Sequence, residues 1–126
     1  MIETALGIIN DELNIIDVPY EFMRWTTPVG DRYWVGEYSE TTTNTEDGYE
    51  EGTLLLTGTT KGLWSVLMRD RATIKDHFPH IGGLRKDTDN GAVVIYYDNS
   101  FPVPTGDADL KRMQINLQIK AWKGMK

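Results

Sequence analysis

The chain has 126 residues, no cysteine and a net charge of -6, with 40% hydrophobic and 25% charged residues. That length suits one core and is too short for two, so residues 1–126 are expected to form a single domain, and the composition excludes both a disordered chain and a membrane protein. Lack of cysteine excludes disulfide staples, thiolate metal sites and cysteine nucleophiles, and the acidic balance opposes non-specific attraction to nucleic acid.

Met1-Ile2-Glu3 lacks the basic start and long apolar segment of a secretory signal, so no export is expected and a cytoplasmic folding compartment fits. Charge is divided unevenly along the chain. Residues 1–60 hold 12 acids and 2 bases, net -10, whereas residues 61–126 hold 7 acids and 11 bases, net +4. Opposed patches on one subunit can steer head-to-tail association with another copy, unless the two halves intermix in space.

Ile2, Leu6, Ile9 and Leu13 recur at spacings of three and four, which predicts an amphipathic helix over residues 2–14 with Glu3, Asp11 and Glu12 facing away. Pro19 stops it, and Tyr20, Phe22 and Trp25 begin an aromatic, strand-like stretch. The turn Thr27-Pro28-Val29-Gly30-Asp31 leads to a second strand, Tyr33-Trp34-Val35-Gly36-Glu37-Tyr38, expected to run antiparallel to the first. From Ser39 to Gly52 the sequence is rich in threonine and acids, with the hairpin-turn pair Asp47-Gly48 at its centre, before Thr53-Leu54-Leu55-Leu56-Thr57 returns as a buried strand.

Thr59 or Thr60 is expected to cap a second helix running through Leu63, Val66, Leu67, Ile74 and Phe78 until Pro79. A loop with Gly82-Gly83 and Asn90-Gly91 then enters the apolar strand Ala92-Val93-Val94-Ile95-Tyr96-Tyr97. Pro102, Pro104 and Gly106 mark Asp98–Asp109 as a connection outside the sheet interior. In the last strand Met113, Ile115, Leu117, Ile119 and Ala121 alternate with polar residues, so one face is dry and one wet. The order helix, three strands, helix, two strands implies an α+β fold, with a mainly antiparallel sheet and both helices on one face.

The chemistry-bearing residues form no catalytic, cofactor or metal pattern. Asp76, His77 and His80 offer three metal ligands, but Pro79 breaks the helix between the two imidazoles, so they read as polar helix-end residues. The acids Glu37, Glu40, Glu46, Asp47, Glu50 and Glu51 lack the calcium-loop order and have no neighbouring nucleophile, which favours a solvated or partner-facing hairpin. Gly58-Thr59-Thr60-Lys61-Gly62 lacks the lysine after the second glycine of a phosphate loop and reads as a strand-to-helix turn. Thirteen aromatics without an interleaved basic stripe point to packing and interfaces rather than base stacking. Trp64, Met68 and Arg71 flank the apolar stripe of the second helix, which makes an exposed Trp64 a candidate subunit contact.

Several segments resemble the tail terminator, or tail-to-head joining, proteins of long-tailed phages and prophages of Gram-positive bacteria, over most of the chain. They are the short N-terminal helix, Tyr33–Tyr38, the acidic Thr45-Glu46-Asp47-Gly48 hairpin, Leu55-Leu56-Thr57-Gly58 entering a helix, Pro104–Asp107 and Leu110–Leu117. The resemblance implies a non-enzymatic virion subunit at the head-tail junction, assembled in the host cytoplasm, without cofactor, metal or membrane contact. Its implied partners are its own copies in a hexameric ring, the tail tube protein and a head-completion or connector protein, with DNA passing through the lumen unbound. The implied assembly surface includes Glu46, Asp47, Glu50, Glu51, Trp64, Phe101 and Pro102, with the Ser39–Gly52 hairpin and the Asp98–Asp109 loop projecting toward neighbours. Two alternatives stand beside it: another head-tail connector or minor virion protein, and a small ligand-binding or enzymatic α+β domain using Glu37, Glu40, Glu46 and Asp47.

Overall fold

The computed structural model describes residues 2–28, 30–42, 49–89 and 91–123. Among the described residues eight elements follow in chain order: α1 (Ile2–Ile15), β1 (Tyr20–Phe22), β2 (Arg32–Thr42), β3 (Tyr49–Thr60), α2 (Trp64–His77), β4 (Leu84–Thr88), β5 (Gly91–Val103) and β6 (Lys111–Lys123). The strands form a six-stranded mixed sheet in the order β1-β2-β3-β6-β5-β4, and both helices pack on the same face of it. The fold is α+β, as the element pattern implied.

The core lies between that sheet face and the helices. The predicted alternation of β6 holds at every position, with Met113, Ile115, Leu117, Ile119 and Ala121 all buried. They meet Leu54 and Leu56 of β3, Val93 and Ile95 of β5, and Ala5, Ile9, Leu13, Leu67 and Ile74 of the helices in one cluster. The opposite face carries amides and hydroxyls that pair across strands. Thr53 bonds Gln118, Gln114 bonds Thr57, and Asn116 bonds Asn99.

Trp34 points into the core across from Gly58, where a Cβ would come within 2.6 Å of the indole ring. Tyr20 lies over Gly36 in the same way. These glycines leave room for aromatic rings to lie along the sheet, which is the use of a missing side chain inside a strand.

The structure corrects several expectations. β1 runs parallel to β2, with Tyr20 opposite Trp34, and it ends before Trp25. After Phe22 the chain reverses through Met23 in the left-handed region (φ 73), and the Glu21 carboxylate accepts bonds from Thr26 and Thr27 that fold the connection back. A strand this short needs little chain to return to its start, which is why a parallel pair forms without the usual long crossover.

Neither Thr59 nor Thr60 caps α2, because β3 continues through both; Leu63 occupies the N-cap without a side-chain bond. Thr60 instead donates to the Asp31 carbonyl and accepts from the Gly62 amide. Gly58 accordingly belongs to β3 rather than to a turn. Three strands follow α2, not two, since Leu84–Thr88 pairs along Gly91–Ile95 as β4. Asp98–Val103 is strand and not connection: β5 continues past a bulge between Tyr97 and Asn99 as far as Val103. Pro102 is tolerated there because β4 has ended, leaving this half of β5 with β6 as its strand partner.

Candidate assembly surface

The residues singled out for assembly fall into two separate regions. Glu46 and Asp47, with the Asp47-Gly48 turn, lie outside the described residues. Glu50 and Glu51 begin β3, opposite Ala121 and Lys120. Strand alternation turns Glu50 to the helix-bearing face and Glu51 to the amide face, so the two do not form one acidic site. Trp64 follows the other end of β3, about 30 Å away by strand rise over the ten residues from Glu50 to Thr60.

At that second end Trp64, Met68, Pro102 and Met113 line a shallow, almost wholly apolar depression between α2 and the terminal half of β5. Phe101 sits beside it but faces the amide side, opposite Gln114. Trp64, Met68 and Phe101 are each about 40% exposed, and Leu63 at the N-cap is 73% exposed. Arg71 and Lys75 continue the Trp64–Met68 side of the helix, stacked over the Tyr97 ring at 5.8 and 5.5 Å from its centroid, and Arg71 donates to the Ser100 hydroxyl. The side of α2 toward β5 is therefore apolar at its start and basic at its end.

Two buried charge clusters hold this framework, and sequence reasoning missed both. Asp70, on the buried stripe of α2 between Leu67 and Ile74, accepts from Arg32 Nε at 2.8 Å, from Arg32 Nη2 at 3.1 Å and from Trp34 Nε1 at 2.8 Å. The same guanidinium donates to the Asp17 carbonyl after α1, so one arginine ties β2 to both helices. Its protonated state is stabilised mainly by that Asp70 bond, which raises its pKa further. An acid at a stripe position was the available signal, though its partner lies 38 residues away.

Glu12, expected to face solvent, is buried in α1. It accepts from His77 Nε2 at 2.6 Å and lies 3.6 Å from Lys86 Nζ. The His77 bond, with Lys86 assisting, holds the Glu12 carboxyl below its usual range despite burial. His80 donates through Nδ1 to the Tyr97 carbonyl, so the two histidines serve separate contacts. Among the described residues no three metal-ligating side chains gather.

Glu37 and Glu40 are exposed on β2. Glu37 borders a shallow trough on the amide face with Arg112 and Gln114. The larger hollows, about 460 Å³ beside Thr88 and Trp122 and about 450 Å³ beside Thr60 and Lys61, contain neither glutamate. Among the described residues no helix is long and apolar enough to cross a membrane.

The architecture defined here is an α+β fold with a one-sided sheet, and it has a counterpart among solved structures. A chain of the virion of native gene transfer agent (GTA) particle superimposes with a TM-score of 0.64 at 9% sequence identity, over 86% of this chain and 82% of that one. Identity that low establishes a shared fold and nothing finer. No protein-family model matches the sequence, and no curated protein matches it.

Proposed function

We propose that this chain is a virion structural subunit and, within a virion, the tail terminator or tail-to-head joining subunit of a long-tailed phage or prophage of Gram-positive bacteria. The observation that supports a virion subunit is the fold it shares, nearly end to end, with a chain from a virion particle; the terminator role rests on the sequence resemblance. A virion component needs surfaces rather than a reaction centre. The exposed apolar depression lined by Trp64, Met68 and Pro102 supplies one, because large apolar side chains grouped at one end of a domain mark contact with another protein. The subunit acts without turnover, closes as a ring with its own copies on the end of the tail tube, and offers the outer side of that ring to the head-completion protein. With -6 on each copy, the ring lets DNA pass without holding it.

The test is electron microscopy of purified protein mixed with tail tubes. A ring of density at one tube end is expected, and tube ends left bare at saturating protein would sink the terminator reading. Mass spectrometry of purified particles tests the broader one, since a virion subunit stays with the particle through repeated banding.

A further inference from the structure

The two helices present opposite charge. From Ile2 to Arg24 the chain holds five acids and one base, the exposed Arg24. Glu12 is engaged by His77 and Lys86, and Glu21 by Thr26 and Thr27, while Asp11 and Asp17 stand exposed. α2 carries Arg69, Arg71 and Lys75 against Asp70 and Asp76, and since Asp70 is buried against Arg32 its outer side is net positive.

Each region also leaves large apolar side chains in water beside those charges. Ile15, Phe22 and Met23 are exposed on the acidic side, and Leu63, Trp64 and Met68 on the basic side. Sheet order separates the two. Phe22 and Met23 lie in and just after β1, one edge strand, whereas Trp64 and Met68 line the depression beside the end of β5, next to the other edge strand; α1 itself reaches across the sheet, with Glu12 beside Lys86 of β4.

We infer that each surface is the docking site for the other on a second copy of this chain: the Trp64–Met68 side of α2 seats against the Ile15–Phe22–Met23 side of α1 and β1. This rests on the self-assembling subunit proposed above and names the mating surfaces. A two-fold contact made through either surface alone would set basic against basic or acidic against acidic, which is repulsive, whereas the crossed pairing sets each apolar group against another inside complementary charge. One such contact per pair of copies joins two different surfaces, so it is heterologous. Each copy uses one surface on each neighbour, and the series ends only by closing on itself.

A chain without cysteine makes the test direct. Phe22→Cys and Met68→Cys each place one thiol at an exposed position. With a short bismaleimide, a mixture of the two variants is expected to give dimers at least about tenfold above either variant alone, and the double variant a ladder of higher multiples. Adding Asp11→Lys to the Phe22→Cys chain should cut the mixed dimer about tenfold, and adding Lys75→Glu to its partner should recover it.

Equal cross-linking within each single variant would show symmetric pairing, and absence of mixed product at the highest soluble concentration would show that the surfaces do not meet; either overturns the inference. Far-UV circular dichroism checks the folds, with Met23→Cys and Trp64→Cys as substitutes on the same surfaces. Rings on tubes without this cross-link would fail the inference and keep the terminator reading, and a ladder beside bare tubes would do the reverse.

Discussion

Asp70 occupies a position where the stripe of α2 calls for an apolar side chain, and its carboxylate instead gathers the Arg32 guanidinium and the Trp34 indole. Truncating it leaves a largely buried arginine and an indole N–H without their acceptor. Asp70→Ala is therefore expected to cost about 3–5 kcal/mol, read as a lower urea midpoint with an unchanged slope. Tyr20 makes a different prediction. Burial pushes its phenol from the ordinary 10.0 up to about 12, and the hydroxyl has no hydrogen-bond partner among the described residues. A raised pKa in the folded state favours the neutral form, so its contribution is complete below pH 10 and is lost as pH rises toward 12. Thermal melts between those limits should fall more steeply for the wild type than for Tyr20→Phe, and equal slopes would assign the alkaline loss elsewhere.

At the level of elements, α2 begins without a capping side chain, because Leu63 stands where Ser, Thr, Asp or Asn would accept a backbone N–H. Leu63→Ser is expected to stabilise the isolated chain by about 0.5–1 kcal/mol in denaturant titrations and, on the pairing proposed above, to weaken self-association by removing an exposed apolar group. The sequence made β6 legible because a one-sided sheet forces strict alternation, and it made both helices legible through their apolar stripes. It hid β4, whose Leu-Arg-Lys-Asp-Thr is an exposed edge with little to bury, and it hid the end of β5, where Pro102 reads as a breaker until the neighbouring strand is known to stop. The parallel setting of β1 and the burial of Glu12 and Asp70 depend on partners distant in the chain, and no local pattern encodes those. Of the candidate surface, Trp64 and Pro102 proved to be neighbours, whereas Glu50 and Glu51 lie at the far end of β3 on opposite faces.

For the whole molecule, the charge split along the sequence survives in space to the extent that α1 and α2 carry it. The halves do intermix in the sheet, where β6 pairs with β3, but the helices keep their signs apart. On the pairing proposed above, the separation of the two surfaces would also set how assembly fails. A copy with Lys75→Glu and Met68→Asp would lose one handhold and keep the other, so it could still join a growing arc and then stop it. Added at low ratio to wild-type protein, such a copy should poison ring closure out of proportion to its share, and an inert bystander would show only dilution.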